Sequence, residues 1–346
     1  MKHPYLFILL ITCLAYTSCI NKTMKRAQKN QKEQRYDGEF TNTDASREIE
    51  SISHSIKKLY RISYYTSYLF TPEALMTGDI IRSGKFRKLA LGVIRAQESV
   101  SGSATVILRT EQRIALLTCA HILSSPDTLI SYFPPSSEDP INYMKSISIK
   151  EKEEIFVKDL SSCGSFVTLA TDTENDVAII GKTCEEPGDT GVFSCPAGHA
   201  RQLRWGDFVY ILGYPHGSLM ITRGIVSTPG GPEACSFTVD ALLNKGYSGG
   251  IILATRNGAP HFELVGLVKS IASKREYVLR PKNDINYYYS DKVPYTDETF
   301  VGTDEVLNYG INYVVPAEAL VRFYTRNRDE LIKHGYNTDS FFRPGK

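Results

Sequence analysis

From about residue 89 the chain alternates short runs rich in Val, Ile, Leu, Tyr and Thr with turn-forming Gly, Pro, Asn and Asp. LALGVIRA, SATVILRT, RIALLTCA, SFVTLAT, DVAIIG, DFVYILGYP, MITRGIVST, CSFTVDALL, GIILAT, FELVGLVKSI and INYVVP each read as a β-strand. Many short strands at close spacing predict an antiparallel barrel or sandwich rather than alternating βαβ units, so the expected fold class is all-β. Helical periodicity is confined to the flanks. TDASREIESISHSIKKLY precedes the strands, and PAEALVRFYTRNRDELIKHG follows them, with Pro316 at a helix start and Glu318 in the first turn. No repeat at a fixed period stands out.

The N-terminus departs from this pattern. Lys2 and His3 precede an apolar stretch from Tyr5 to Leu14, and small polar residues follow up to Cys19. The apolar stretch is short for a permanent membrane span, so residues 1–19 read as an export signal. Tyr16-Thr17-Ser18 before Cys19 resembles a bacterial lipoprotein cleavage box, in which the cysteine carries the lipid, although Tyr16 stands where an aliphatic residue is usual. Residues 20–47 are polar and rich in Lys, Gln, Asn and Glu, the composition of a disordered tether. The expected location is the bacterial cell envelope, with a lipid anchor at Cys19 as the membrane contact; plain secretion or a retained anchor is the alternative.

Composition narrows the partners. At 346 residues with 42% hydrophobic residues the chain can bury a sizeable core. With 40 basic and 38 acidic residues and a net charge of +2, no overall field draws nucleic acid to it. Of seven cysteines, Cys13 and Cys19 lie in the export segment. Cys119, Cys163, Cys184, Cys195 and Cys235 remain, an odd number, so at least one is unpaired within the chain. Cys184 and Cys195 flank EEPGDTGVFS and are candidates for a disulfide, with scattered core cysteines as the alternative. No CxxC pair or clustered ligand set calls for zinc, and no cofactor or metal is expected.

Three segments carry candidate chemistry: LTCAHIL, ENDVAIIG and NKGYSGGI, which supply His121, Asp176 and Ser248, each beside an apolar strand. A serine hydroxyl attacks a carbonyl at neutral pH only when an imidazole takes its proton. The imidazole needs a carboxylate on its other nitrogen to fix its tautomer and orientation. Taken singly, His121 reads more readily as a structural histidine and Asp176 as a turn residue. The glycines around Ser248 allow a tight turn that points the N–H groups of Gly246 and Ser248 at a developing oxyanion.

The segments LLTCAHIL, NDVAIIG, GDFVYILGYPHGS, ITRGIVST, VDALLNKGYSGGIIL, LVGLVKSI and GINYVVPAEAL, in that order, resemble those of chymotrypsin-fold serine proteases of the bacterial HtrA/Deg type, from about Val100 to Leu320. The resemblance implies two six-stranded β-barrels with the active site between them. His121 would be the general base and acid, Asp176 its orienting carboxylate, Ser248 the nucleophile, and Gly246 and Ser248 the oxyanion hole. It places the protease domain over residues 48–325 with a barrel junction near 185–205, followed by a tail over 326–346. Tyr247 stands where digestive proteases carry an Asp that pairs with a freed N-terminus, so zymogen-type activation is not expected. Ile251 replaces a common proline. The stretch after the last strand is short for a PDZ domain, so none is expected.

Residues 124–162, 184–204 and 273–309 have no counterpart in a minimal protease of this kind and read as cleft loops or solvated insertions. Tyr287-Tyr288-Tyr289 reads as a cross-strand aromatic cluster or a contact surface. By position, Leu242 and Leu243 would wall the primary specificity pocket, with Val268 to Ser270 as the edge on which a substrate backbone pairs. Two uncharged leucines imply cleavage after Val, Ala, Ile or Leu. The function expected is an exported serine endopeptidase acting on proteins; a catalytically silent protease fold serving as a scaffold is the alternative.

Overall fold

The computed structural model describes residues 36–38, 44–133, 143–185, 190–230, 236–281 and 299–342. Cys13, Cys19, Cys235 and Tyr287-Tyr288-Tyr289 lie outside them. A helix α1 (Ser46–Ser53) leads into β1 (Ile56–Leu69) and β2 (Gly92–Arg109), between which lie α2 (Gly78–Arg82) and α3 (Phe86–Leu89). Next come β3 (Arg113–Thr118), the one-turn helix α4 (Ala120–Leu123), β4 (Thr128–Tyr132), β5 (Met144–Val157), β6 (Val167–Asp172) and β7 (Val177–Thr183). The second half comprises β8 (Phe208–Gly213), β9 (Met220–Thr228), β10 (Phe237–Asp240), β11 (Ile251–Thr255), β12 (Phe262–Pro281) and β13 (Thr299–Pro316), then helix α5 (Ala317–Lys333).

The two halves are two sheets, as an all-β double barrel requires, but they close differently. β10-β13-β12-β11-β8-β9 form a closed barrel. The first half is a seven-stranded sheet in the order β4-β5-β1-β2-β3-β7-β6. It curls round until Ile155 of β5 meets Phe166, just ahead of β6, in one antiparallel bridge. The expected six-stranded barrel is therefore β6-β7-β3-β2-β1-β5 joined by a single bridge, with β4 added on the outside of β5.

Several sequence expectations need correction. The helical reading of residues 43–60 holds only to Ser53, because β1 begins at Ile56. Strand β1 alternates inward and outward, but its inward positions include Arg61, Ser63 and Ser67. The polar residues hide the period of two. Residues 124–162 contain β5, a strand of the barrel itself, rather than an appended loop. Much of 273–309 extends the β12–β13 ladder, from Ser273 opposite Leu307 to Pro281 opposite Thr299.

Two terminal segments expected to lie outside the domain belong to its core. Helix α5 follows β13 out of the second barrel and buries Ala319, Leu320, Phe323, Tyr324 and Leu331 in a core that holds residues of both sheets. Beyond it Tyr336, Phe341 and Phe342 are buried in the same core, Tyr324 stacks on Phe342 at 4.3 Å, and Asp339 accepts from both Tyr324 and Arg328. Residues 326–342 of the expected tail are thus part of the domain. At the other end, Tyr36 and Asp37 of the expected tether insert into the second barrel. Tyr36 is 2% exposed; its hydroxyl donates to Glu263 at 2.7 Å and accepts from His199 N at 2.8 Å, and Arg256 lies over its ring. Asp37 N donates to Thr255 O at 3.0 Å.

The disulfide also differs from expectation. Cys184 pairs with Cys163, 21 residues earlier, and Cys195 is a buried free thiol like Cys119. Pairing of Val167 with Gly181 sets the register of the β6–β7 hairpin, so a cysteine just before β6 and one just after β7 meet at its open end. Its closed end, the turn between Asp172 and Val177, contains Asp176.

Candidate active site

Strand β3 leaves the sheet after Thr118 and turns at once into α4, whose Ala120, Ile122 and Leu123 are buried. That turn pushes His121 outward, with its side chain 45% exposed. Asp176 occupies the β6–β7 turn with φ +60°, a left-handed conformation that Asp tolerates better than most residues. It is 6% exposed. Its Oδ2 lies 2.8 Å from His121 Nδ1, and its Oδ1 accepts from the His121 backbone N at 2.9 Å. Both carboxylate oxygens therefore hold one residue, fixing the imidazole with Nδ1 facing the carboxylate and Nε2 facing away.

Ser248 lies in the loop between β10 and β11, half-buried. The loop is locked peptide by peptide. Tyr247 N donates to Asn244 O at 3.2 Å, Gly250 N to Tyr247 O at 2.7 Å, and Gly249 N to Val268 O at 2.9 Å. The carbonyl of Lys245 accepts from His216 N at 3.4 Å. The carbonyls of Lys245 and Tyr247 belong to the peptides whose N–H groups are those of Gly246 and Ser248. Among the described residues these two N–H groups have no backbone acceptor. They are the pair expected to face an oxyanion. Gly249 has φ +78°, and a Cβ there would collide with the carbonyl of Ser103, so only glycine lets the loop approach the first barrel so closely.

Two residues that sequence reading passed over bind the halves of the site together. Cys119, fully buried, donates its thiol to Val268 O at 3.2 Å, the carbonyl that also takes Gly249 N–H. Burial, and then the neighbouring Asp176 charge, push its pKa well above the usual thiol range, so it remains a neutral donor. Ser103, also fully buried, contacts the Ser248 loop through both its backbone and its side chain. The only hint in sequence is a Gly-Ser pair immediately ahead of the run ATVIL. Cys119, His121 and Asp176 present donor atoms within 4.8 Å of one another. The carboxylate is already occupied by His121 and the thiol is held protonated, so the cluster is built for hydrogen bonding rather than for metal ligation.

The expected specificity residues fall in different places. Leu242 is 74% exposed, whereas Leu243 has no exposed surface and lies in the second-barrel core with Tyr247 and Val268. Leu243 offers no side chain to a substrate, because alternate positions along this segment face opposite ways. Ser270 is half-buried. Both backbone groups of Val268 are taken, N–H by Gly250 O at 2.8 Å and C=O by Gly249 N, so Val268 offers no free backbone to a substrate; the β12–β13 register shifts between Val268 and Ser270. Tyr247, at the position of the zymogen Asp, is 2% exposed and fills the second core.

Residues 102–267 match the family model described as a trypsin-like peptidase domain. No curated protein matches the sequence. Among solved structures, the chain is similar to the serine endoprotease from Yersinia pestis, at 16% identity and a TM-score of 0.39 over 85% of this chain and 68% of that one. It is also similar to Deg5, at 15% identity and a TM-score of 0.39 over 80% of this chain and 90% of that one.

Proposed function

We propose that this chain, whose residues 102–267 match the family model of a trypsin-like peptidase domain, is a serine endopeptidase that works through Ser248, His121 and Asp176, on proteins outside the cytoplasm, from a lipid anchor at Cys19. The observation that carries the catalytic part is the double hold of Asp176 on His121, made beside a loop whose Gly246 and Ser248 N–H groups lack backbone acceptors.

In this reading His121 Nε2 removes the Ser248 proton as Oγ bonds to the scissile carbonyl carbon. Asp176 stabilises the imidazolium that results. The carbonyl oxygen, now an oxyanion, accepts from Gly246 and Ser248 N–H. Collapse breaks the C–N bond, and His121 returns the proton to the leaving amine. Water, deprotonated by the same imidazole, then attacks the acyl-enzyme carbon and releases the acid and Ser248. The exposed, uncharged Leu242 favours aliphatic residues before the scissile bond.

Export is supported by the signal-like residues 1–19 and by the Cys163–Cys184 disulfide, a bond that persists in oxidising compartments. Expression in a bacterial host tests both parts. The parent digests casein and fractionates with membranes, Ser248→Ala loses hydrolysis, and Cys19→Ala appears in the soluble envelope fraction. Unimpaired digestion by Ser248→Ala contradicts the catalytic assignment; equal membrane retention of Cys19→Ala contradicts the anchor. A folded parent that digests nothing favours the scaffold alternative.

A further inference from the structure

Ser103 sits where the two catalytic segments diverge. Pairing of β2 with β3 runs only as far as Thr105 opposite Leu117, because β3 then leaves to form α4. The backbone groups of Ser103 on that side are left without a strand, and each finds another partner. Its N–H donates to Ser248 O at 2.8 Å, and its C=O accepts from Thr118 Oγ1 at 2.7 Å. The side chain does as much again: Oγ donates to Gly246 O at 2.7 Å and accepts from Tyr214 N at 2.8 Å. The residue has no exposed surface, so no water competes for these bonds.

We propose that Ser103 is a positioning residue for the reaction, a buried hydroxyl on the first barrel that sets the orientation of the oxyanion donors on the second. The inference rests on the peptidase reading above. Ser103 grips Gly246 O with its side chain and Ser248 O with its backbone, which fixes the Gly246–Tyr247 and Ser248–Gly249 peptides; the donor peptide Tyr247–Ser248 lies between these two fixed ends, and the donor peptide Lys245–Gly246 joins the first of them at Gly246. Gly246, with φ +109°, has little conformational preference of its own. Its orientation therefore comes from its partners. Of these, the bond from His216 N to Lys245 O, at 3.4 Å, is long. The hydroxyl of Ser103 is the short one.

Ser103→Ala removes only the side-chain bonds, since N–H and C=O of residue 103 keep Ser248 and Thr118. It leaves Gly246 C=O and Tyr214 N–H buried without a partner. Misaligned oxyanion donors matter once the tetrahedral intermediate forms and not when substrate first binds. The expected result with labelled casein is a fall in kcat of about 10- to 100-fold with KM within about twofold of the parent. The acid limb of the pH profile stays in place, because His121 and Asp176 are untouched. Ser103→Cys keeps a weak donor and falls between the two; it also carries the test if Ser103→Ala does not fold. An unchanged kcat in both variants, or a loss confined to KM, overturns the inference. A parent that neither digests casein nor reacts with a fluorophosphonate overturns the peptidase reading as well, so the two failures are told apart by the parent alone.

Discussion

Asp176 accepts from His121 twice, from the ring at 2.8 Å and from the backbone at 2.9 Å. The backbone bond ties the start of α4 to the β6–β7 turn, and the ring bond selects the tautomer. Asp176→Asn keeps the shape but offers an N–H where the carboxylate accepts, so the ring flips or takes the wrong tautomer. A fall in kcat of roughly 10⁴ is expected with little change in the melting temperature. Steady-state hydrolysis of casein measures it, and a loss below about tenfold speaks against Asp176 as the orienting group.

The disulfide braces the hairpin that carries Asp176. Cys184→Ser opens a 21-residue ring and is expected to destabilise the protein by about 3 kcal/mol, read as a lowered melting temperature that reductant reproduces in the parent. Mass spectrometry after alkylation in denaturant checks the pairing itself. Cys119 and Cys195 take the label before reduction, Cys163 and Cys184 only after it. A Cys184–Cys195 peptide would contradict the structure.

Tyr36 gives a pH dependence. Burial, then the charge of Glu263, raises its pKa above the ordinary 10.0. The folded state holds this proton more tightly than the unfolded chain. Its contribution is therefore complete below pH 10 and is lost as pH rises from there towards the folded value. Tyr36→Phe keeps the ring under Arg256 but loses the bonds to Glu263 and His199, at a cost of about 1–3 kcal/mol near neutral pH. The gap in melting temperature between parent and Tyr36→Phe is expected to narrow as pH rises above 10. A constant gap would mean that the hydroxyl does not titrate with unfolding.

The proposed cleavage preference rests on Leu242, which places exposed apolar surface six residues before Ser248. Digestion of a denatured proteome, read by mass spectrometry, is expected to show Val, Ala, Ile or Leu before the cut. The preference is graded, because each methylene of fit is worth only about 1–3 kcal/mol. A dominance of Arg or Lys at that position would refute it.

The parts of the fold that were legible in sequence are those whose signal is local. The second-barrel strands alternate or run apolar between turn residues, and α5 repeats its apolar face at helical spacing from Ala319 to Leu331. His121, Asp176 and Ser248 each stand next to such a strand, and the glycines round Ser248 mark a tight turn. What was not legible depends on contacts across the chain. Strand β1 turns Arg61, Ser63 and Ser67 inward, where Ser63 and Ser67 find buried or half-buried partners in Ser125 and Ser148, so its polar residues do not mark its outer face. The choice of Cys163 over Cys195 is made by the β6–β7 register, which cysteine spacing does not encode. Ser103 meets Gly246 across 143 residues, and Tyr36 meets Glu263 across 227.

The central claim is that Ser248 is a nucleophile activated by His121. Reaction of the folded protein with a fluorophosphonate, followed by peptide mapping, tests it most directly. The expected result is one phosphonylated residue, Ser248, formed at a rate that falls at least 100-fold in His121→Ala and leaves no adduct in Ser248→Ala. An adduct at another serine, or a Ser248 adduct formed equally fast without His121, would contradict the account.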